Sequence, residues 1–212
     1  MTKKGFTKCD VCYEKFEIDL NKLLPLVERG EEILEKDSKG QLDYQDVKND
    51  LINLIENLQK YIPNYSYPLF TLLRISTLTL TNNLNFSKTQ KSEFEFEFDF
   101  ELCLNYLRNT FEASKEIFSE NHSNKTLILA EYSKFLNFSF NYIINNNNNK
   151  NKKFNQIEII SKKKNIINFL ENSIKFTELS FGKLNKGGIV GKELNLILND
   201  CKLELDNLNI LF

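Results

Sequence analysis

Residues that interrupt long secondary-structure elements are scarce in this chain. Only 7 of its 212 residues are glycine and only 3 are proline. A sandwich or barrel of many short strands needs a turn roughly every 8 to 12 residues, and glycine and proline supply much of the chemistry of such turns. The sequence therefore favours long helices over many short strands, and we predict an all-α fold class.

Seven stretches repeat apolar residues at the three-to-four spacing of one helix face. They begin near Leu20, Val47, Leu69, Phe100, Ile128, Ile160 and Leu194. Most connections between them are short, which favours antiparallel neighbours, so we predict about seven helices arranged as antiparallel hairpins. The hairpins recur at a spacing of about 35 to 45 residues, which is TPR-like (the tetratricopeptide repeat), although the signature residues of that repeat are poorly matched.

The segment 93–100 departs from this pattern, because it alternates acidic residues with phenylalanine. Strict alternation is the period of a β-strand. A single strand would have no partner in a helical protein, so the preferred interpretation is a loop extension leading into the fourth helix, with a strand as the alternative. In either case Phe94 and Phe96 are candidates for an exposed apolar patch.

Residues 145–153 form a low-complexity tract. Residues 145–149 are all asparagine, and residues 150–153 are lysine and asparagine. The tract has no apolar side chain whose burial would offset the entropy cost of ordering it. We predict a disordered insertion there.

The charges nearly balance, with 28 basic and 29 acidic residues and a formal net charge of −1. No excess of lysine and arginine is available to displace the counterions of a polyanion, so we expect no nucleic-acid partner. No apolar run approaches the ~20 residues that span a bilayer, and the N-terminus lacks the apolar stretch of a signal peptide. With four cysteines and no secretory signal, we expect a cytoplasmic or nuclear protein without membrane contact.

Cys9 and Cys12 form a C-x-x-C pair, the spacing at which two thiolates bind one zinc ion. Structural zinc takes four ligands, and the chain has neither a second C-x-x-C pair nor a C-x-x-H. We therefore expect zinc only if another chain supplies ligands, and we expect no other cofactor. A thioredoxin-like redox role lacks the strand–helix context that it needs. Cys103 and Cys201 fall on apolar helix faces and are interpreted as buried small apolar residues.

Three further features have structural interpretations. His122 lies between two helices without a nearby nucleophile, and we interpret it as a turn histidine bonded to the backbone. The run Lys162–Lys164 would suit nucleic acid or an acidic partner, but a solvated helix end is preferred. Gly187–Gly191 lacks the preceding strand and the Gly-Lys-Ser/Thr ending of a phosphate loop. We therefore expect no catalytic residue and no enzymatic activity.

Six segments carry a family resemblance: Gly5–Cys12, Tyr61–Tyr65, Leu72–Ile75, Tyr106–Arg108, Ile117–His122 and Leu194–Cys201. They are similar to the C-terminal region of SET and MYND domain-containing proteins, a family of protein-lysine methyltransferases. The resemblance implies a degenerate post-SET-like cysteine segment at 1–17. It also implies a TPR-like helical domain at 18–210 that contains the insertion at 145–153.

Departures from the family pattern bear on the function. In the family, three post-SET cysteines and one SET-domain cysteine hold a zinc ion, and here Thr7 stands in the place of the first. A hydroxyl is a poor substitute for a thiolate, which leaves Cys9 and Cys12 as an incomplete site. The segments that bind S-adenosylmethionine and line the lysine channel have no counterpart in this sequence.

The resemblance therefore implies a non-catalytic module that binds a protein partner, either a peptide or a helix. The alternative is a fragment of a lysine methyltransferase that acts with a SET-bearing chain. A third interpretation is a decayed gene product without a role.

Overall fold

The computed structural model describes residues 4–8, 15–86, 93–147 and 155–210. Two strands come first, β1 (Lys4–Lys8) and β2 (Lys15–Asp19). Seven helices follow: α1 (Leu20–Ser38), α2 (Tyr44–Leu58), α3 (Leu69–Phe86), α4 (Glu93–Ile117), α5 (Ser123–Asn147), α6 (Gln156–Phe181) and α7 (Gly188–Ile210). The predicted all-α class and helix number are confirmed over the described residues, and the β1–β2 hairpin is an addition that the sequence did not predict.

The chain divides into two compact units, Met1–Lys91 and Ser92–Phe212. The first contains the hairpin and α1 to α3, and the second contains α4 to α7. The boundaries proposed from the sequence, 1–17 and 18–210, stay predictions. Among the described helices, none combines the length and the hydropathy that crossing a bilayer requires.

The first unit begins with β1 and β2 paired antiparallel, so that Lys4 lies opposite Asp19. Asp19 ends β2 and caps α1, because its carboxylate accepts a hydrogen bond from the Asn21 N–H at 3.2 Å. Helices α1, α2 and α3 each contact the other two. Their buried apolar residues are Leu23, Ile33, Leu51, Leu54, Ile55, Leu58, Leu69, Leu72, Leu73, Leu80 and Leu84. The first unit therefore has an apolar core of its own.

The second unit is a series of antiparallel neighbours. The start of α4 meets the end of α5, since the rings of Phe96 and Tyr142 lie 5.2 Å apart between centroids. Near the other end of the pair, the rings of Phe111 and Tyr132 are also 5.2 Å apart. Aromatic side chains therefore fill the α4–α5 interface along its length.

The α5–α6 interface is built differently, with small hydroxyl residues facing one another. The Ser133 and Ser173 hydroxyls are buried and lie 2.6 Å apart, and the Thr126 and Ser180 hydroxyls lie 2.8 Å apart. Because these side chains are small and bond locally, the two helices approach closely without leaving an unpaired polar group. On the other side of α6, Leu170 packs with Leu194, Leu198 and other buried residues of α7.

The alternating segment 93–100 is helical, so both interpretations of it as a loop extension or a strand were wrong. Successive phenylalanines lie about 200° apart around a helix, so alternate ones point the same way. Phe96 and Phe100 are buried one turn apart against Tyr142, whereas Phe98 is 51% exposed. Packing against α5 thus outweighs the strand-like alternation. The exposed patch proposed at Phe96 does not exist, and the Phe94 side chain lies outside what the structure describes.

The asparagine tract is divided by the end of α5. Residues 145–147 belong to that helix, and residues 148–153 lie outside the described residues. A turn over residues 182–187 follows α6. Gly182 follows the last helical residue with φ of +98°, and α7 starts at Gly188.

Candidate functional site

The cysteine pair proposed as a partial zinc site cannot be placed, because Cys9 and Cys12 lie outside the described residues. Over the part of the chain that the structure describes, no three His, Cys, Asp or Glu side chains come together as a metal site. The prediction that zinc would need ligands from another chain stays a prediction.

His122 is the N-cap of α5. Its Nδ1 accepts a hydrogen bond from the Asn124 N–H at 3.2 Å, and its exposed ring stacks on Phe118 at 4.5 Å between centroids. This confirms the interpretation of a turn histidine bonded to the backbone. Because one ring nitrogen satisfies a free N–H of the helix start, the imidazole has a structural task.

Cys103 and Cys201 are both fully buried, as expected from their positions on apolar helix faces. Cys201 on α7 also has a polar contact, since its Sγ lies 3.1 Å from Oδ1 of Asn137 on α5. Burial raises the pKa of the Cys201 thiol, and nearby Lys163 opposes that rise. Cys201 is therefore a protonated donor within the α5–α7 contact and not a reactive thiolate.

The basic run on α6 has a different structure from the predicted solvated helix end. Lys162 and Lys164 are exposed, in agreement with that interpretation, but Lys163 is only 1% exposed. Lys163 Nζ donates to Oδ1 of Asn137 and to Oδ1 of Asn141, each at 3.2 Å, and it forms an ion pair with Glu204. The solvated interpretation is therefore wrong for the middle lysine.

The Lys163 contacts join three helices, α5 through the two asparagines, α6 through its own backbone and α7 through Glu204. The ammonium lies 5.4 Å from the centre of the Phe140 ring, which adds a cation–π contact. With three acceptors for its three N–H groups, Lys163 is a structural cation and not a free nucleophile. A sequence signal for this burial was present, because Lys163 shares the helical phase of Ile166, Ile167 and Leu170.

A groove of about 320 Å³ lies between α4, α5 and α6, within the second unit. Side chains of α5 form its floor, and α4 and α6 form its walls. Most of its lining is apolar: Leu104, Tyr132, Leu136, Phe140, Ile143, Ile144, Ile159, Ile166 and Phe169, with Ser139 and Asn165 as neutral polar residues. Several lining residues, among them Leu104, Ile143 and Ile159, are half-buried and remain accessible from the groove.

The charged residues that line the groove are both cations, Arg108 on α4 and Lys162 on α6. Both are exposed. Each lies one helical turn from an apolar lining residue of the same helix, Arg108 from Leu104 and Lys162 from Ile159. The groove therefore has apolar walls and a positively charged rim.

A second cavity of about 380 Å³ adjoins the groove and shares Phe140, Ile144 and Ile159 with it. Its polar wall contains Lys163 and Glu204, which already bind one another. Of the two cavities, the groove has the more apolar lining and the half-buried aliphatic side chains, and we treat it as the candidate functional site.

Comparison with known proteins found no matching family model, no matching curated protein and no matching solved structure. The resemblance to the SET and MYND domain-containing family stays a prediction.

Sequence reasoning did not identify the groove, because its lining comes from three helices whose mutual rotation is a tertiary property. A partial signal lies in the density of apolar residues from Leu136 to Ile144, which exceeds what one buried helix face needs.

Proposed function

We propose that this chain is a non-catalytic, TPR-like protein-interaction module, related to the C-terminal region of SET and MYND domain-containing proteins, and that the groove is its binding surface. The observation that supports the proposal is the strip of half-buried apolar side chains between α4, α5 and α6. Contiguous apolar surface left accessible on a folded protein is typical of a binding site.

The groove has the dimensions and lining of a recognition site. Its volume of about 320 Å³ is near the lower limit of typical ligand pockets, about 300 to 1,000 Å³. Walls made of two helices with a third as the floor form a trough, which suits the apolar face of a short helix or peptide. The partner would insert a few large apolar side chains and leave its polar face in water.

Three side chains that could carry chemistry have structural tasks instead. His122 caps α5, Lys163 joins α5, α6 and α7, and Cys201 is a buried neutral thiol. The proposal of a module without chemistry is consistent with these assignments. The alternative, a methyltransferase fragment that acts with a SET-bearing chain, rests on the resemblance alone.

Selection from a displayed library of helical peptides tests the proposal. Peptides selected on the full chain are measured against wild type and Ile143→Ser, which makes the groove floor polar at a half-buried position. Leu196→Ser is the matched control, since Leu196 is 67% exposed on α7 and does not line the groove. We expect Ile143→Ser to weaken binding about tenfold, roughly the loss of one buried aliphatic contact.

Leu196→Ser should leave the affinity unchanged. Failure to select any peptide, or selection only of peptides whose affinity is equal for wild type and Ile143→Ser, would contradict the proposal. Circular dichroism of both variants controls for folding.

A further inference from the structure

We infer that the groove binds an acidic amphipathic helix of a partner protein, with carboxylates beside its apolar anchors; this inference rests on the proposed function. The charged lining residues of the groove, Arg108 and Lys162, are cations, and no carboxylate belongs to the lining described. The charged side chains of the lining are therefore of one sign, although basic and acidic residues nearly balance in the whole chain, 28 against 29.

Arg108 is placed where it can contact an acidic side chain of a partner. It lies exposed on α4, and the structure places no hydrogen bond or ion pair on it within the residues it describes. A guanidinium has five donors in a planar fork that matches a carboxylate with two parallel hydrogen bonds. An acidic side chain on the partner would meet those donors one turn along α4 from the apolar contact at Leu104.

Lys162 places a second cation on the opposite wall. It follows Ile159 by one turn on α6, as Arg108 follows Leu104 on α4. Both walls of the trough therefore carry a basic side chain beside an apolar one. The complementary sequence is a helix with apolar anchors three or four residues apart and with Asp or Glu beside the anchor that contacts Leu104, within reach of Arg108.

The chain segment nearest to the groove in sequence is a poor occupant. Residues 148–154 connect α5 to α6 and contain three lysines and no acidic residue. Placing them between Arg108 and Lys162 would bring like charges together, which disfavours binding. Charge complementarity thus favours an acidic helix from another protein.

The experiment uses three 14-residue amphipathic peptides with identical leucine anchors and with flanking Glu, Gln or Lys. Fluorescence anisotropy measures their affinity for the full-length wild type, Arg108→Gln, Arg108→Glu, Ile143→Ser and Lys164→Gln. Lys164 is the matched control, since it is an exposed α6 lysine that does not line the groove. We expect the Glu peptide to bind about tenfold more tightly than the Lys peptide at low salt, with the difference reduced by salt.

The variants separate the inference from the function on which it rests. Arg108→Gln should weaken the Glu peptide about tenfold, the loss of one charge-assisted pair, and Arg108→Glu should remove its advantage over the Lys peptide. Lys164→Gln should change nothing. Equal affinity for all three peptides, with loss in Ile143→Ser, would overturn the inference and leave the proposed function standing.

Failure of every peptide to bind would overturn both proposals. Dodecanoate, a small amphiphile, is tested in parallel with the peptides. Dodecanoate binding that Ile143→Ser abolishes, without peptide binding, would also overturn both and assign the groove to a small ligand. A signal that grows with protein concentration alone would point to self-association and overturn the inference.

Discussion

Lys163 is a charged residue that is buried because its neighbours replace water. Its alkyl chain lies on the apolar face of α6, and its ammonium contacts Asn137, Asn141 and Glu204. An unpaired ammonium at this depth would cost several kcal/mol. The two asparagines therefore matter as much as the carboxylate, because they are half-buried acceptors, whereas Glu204 is 50% exposed at its side chain.

We predict that Lys163→Ala lowers the free energy of unfolding by about 2 to 4 kcal/mol, because it removes the ammonium donor from the Asn137 and Asn141 amide oxygens and opens a cavity. Lys164→Ala on the same turn is the control and should change it by less than about 0.5 kcal/mol. Urea denaturation followed by circular dichroism measures both. Equal effects at the two positions would show that Lys163 is not buried.

From the buried Cys201 thiol we predict that the free energy of unfolding falls as the pH rises into the alkaline range. Burial raises its pKa above the ordinary thiol value, so the folded state keeps the proton at a pH where the unfolded chain loses it. The thiol's contribution is therefore complete below the unfolded-state pKa and declines as pH rises toward the folded-state pKa.

Unfolding free energies measured across the alkaline range should fall more steeply for wild type than for Cys201→Ala, which has no thiol at this position. Ultraviolet absorbance of the thiolate gives an independent measure of ionisation in the folded protein. Parallel pH profiles for the two proteins would contradict the predicted role of this thiol.

At the scale of elements, the start of α4 shows how a tertiary contact decides between strand and helix for a segment whose apolar residues alternate. Residues 93–100 satisfy the strand pattern, but α5 offers an aromatic surface only to one helical face, which carries Phe96 and Phe100. Phe98 is left in solvent. The cost of exposing one phenylalanine is smaller than the gain from continuing the helix along α5.

Substitution of Phe96 and Phe98 distinguishes the helix from a strand. In a strand the two side chains would share a face, so their substitution would have similar effects. In the helix we expect Phe96→Ala to lose about 3 kcal/mol and Phe98→Ala to lose less than about 0.5 kcal/mol. Thermal unfolding measures both. Comparable losses would contradict a helix that begins at Glu93.

Helix starts are a second feature at this scale. Asp19, His122 and Asn155 each accept a hydrogen bond from the N–H two residues later, at the starts of α1, α5 and α6. Asp and Asn are common N-caps, and histidine is not among the preferred residues. At α5 this role falls to His122, the residue before the first helical residue, Ser123.

At the scale of the whole molecule, two units with separate cores imply separate stability. The second unit has a core cluster that includes Phe140, Leu170 and Leu194, and ion pairs such as Lys202–Glu171 at 2.7 Å tie α7 to α6. The core is contained entirely within residues 92–212. A unit of this size with its own core is large enough to fold alone.

We predict that a protein of residues 92–212 folds by itself and unfolds cooperatively. Circular dichroism should show a helical spectrum, and urea unfolding should follow one two-state transition. The full chain measured in parallel is the control. A peptide of 92–212 that is unfolded or melts without a transition would contradict the division at Lys91.

Helix number, all-α class and the positions of most helix cores follow from the sequence, because apolar spacing is a local property that each segment carries with it. The burial of Cys103 and Cys201 and the turn role of His122 follow for the same reason. In these cases the neighbours along the chain already determine the environment of the residue.

Other features depend on which helix faces which. The helical state of Phe96, the burial of Lys163 and the groove with Arg108 on its rim arise only when α4, α5, α6 and α7 pack side by side. Spacing along one helix identifies a face but not the chemistry of the surface that meets it. That chemistry decides whether a phenylalanine is covered, whether a lysine finds acceptors, and whether a groove stays open, and it comes from residues distant in sequence.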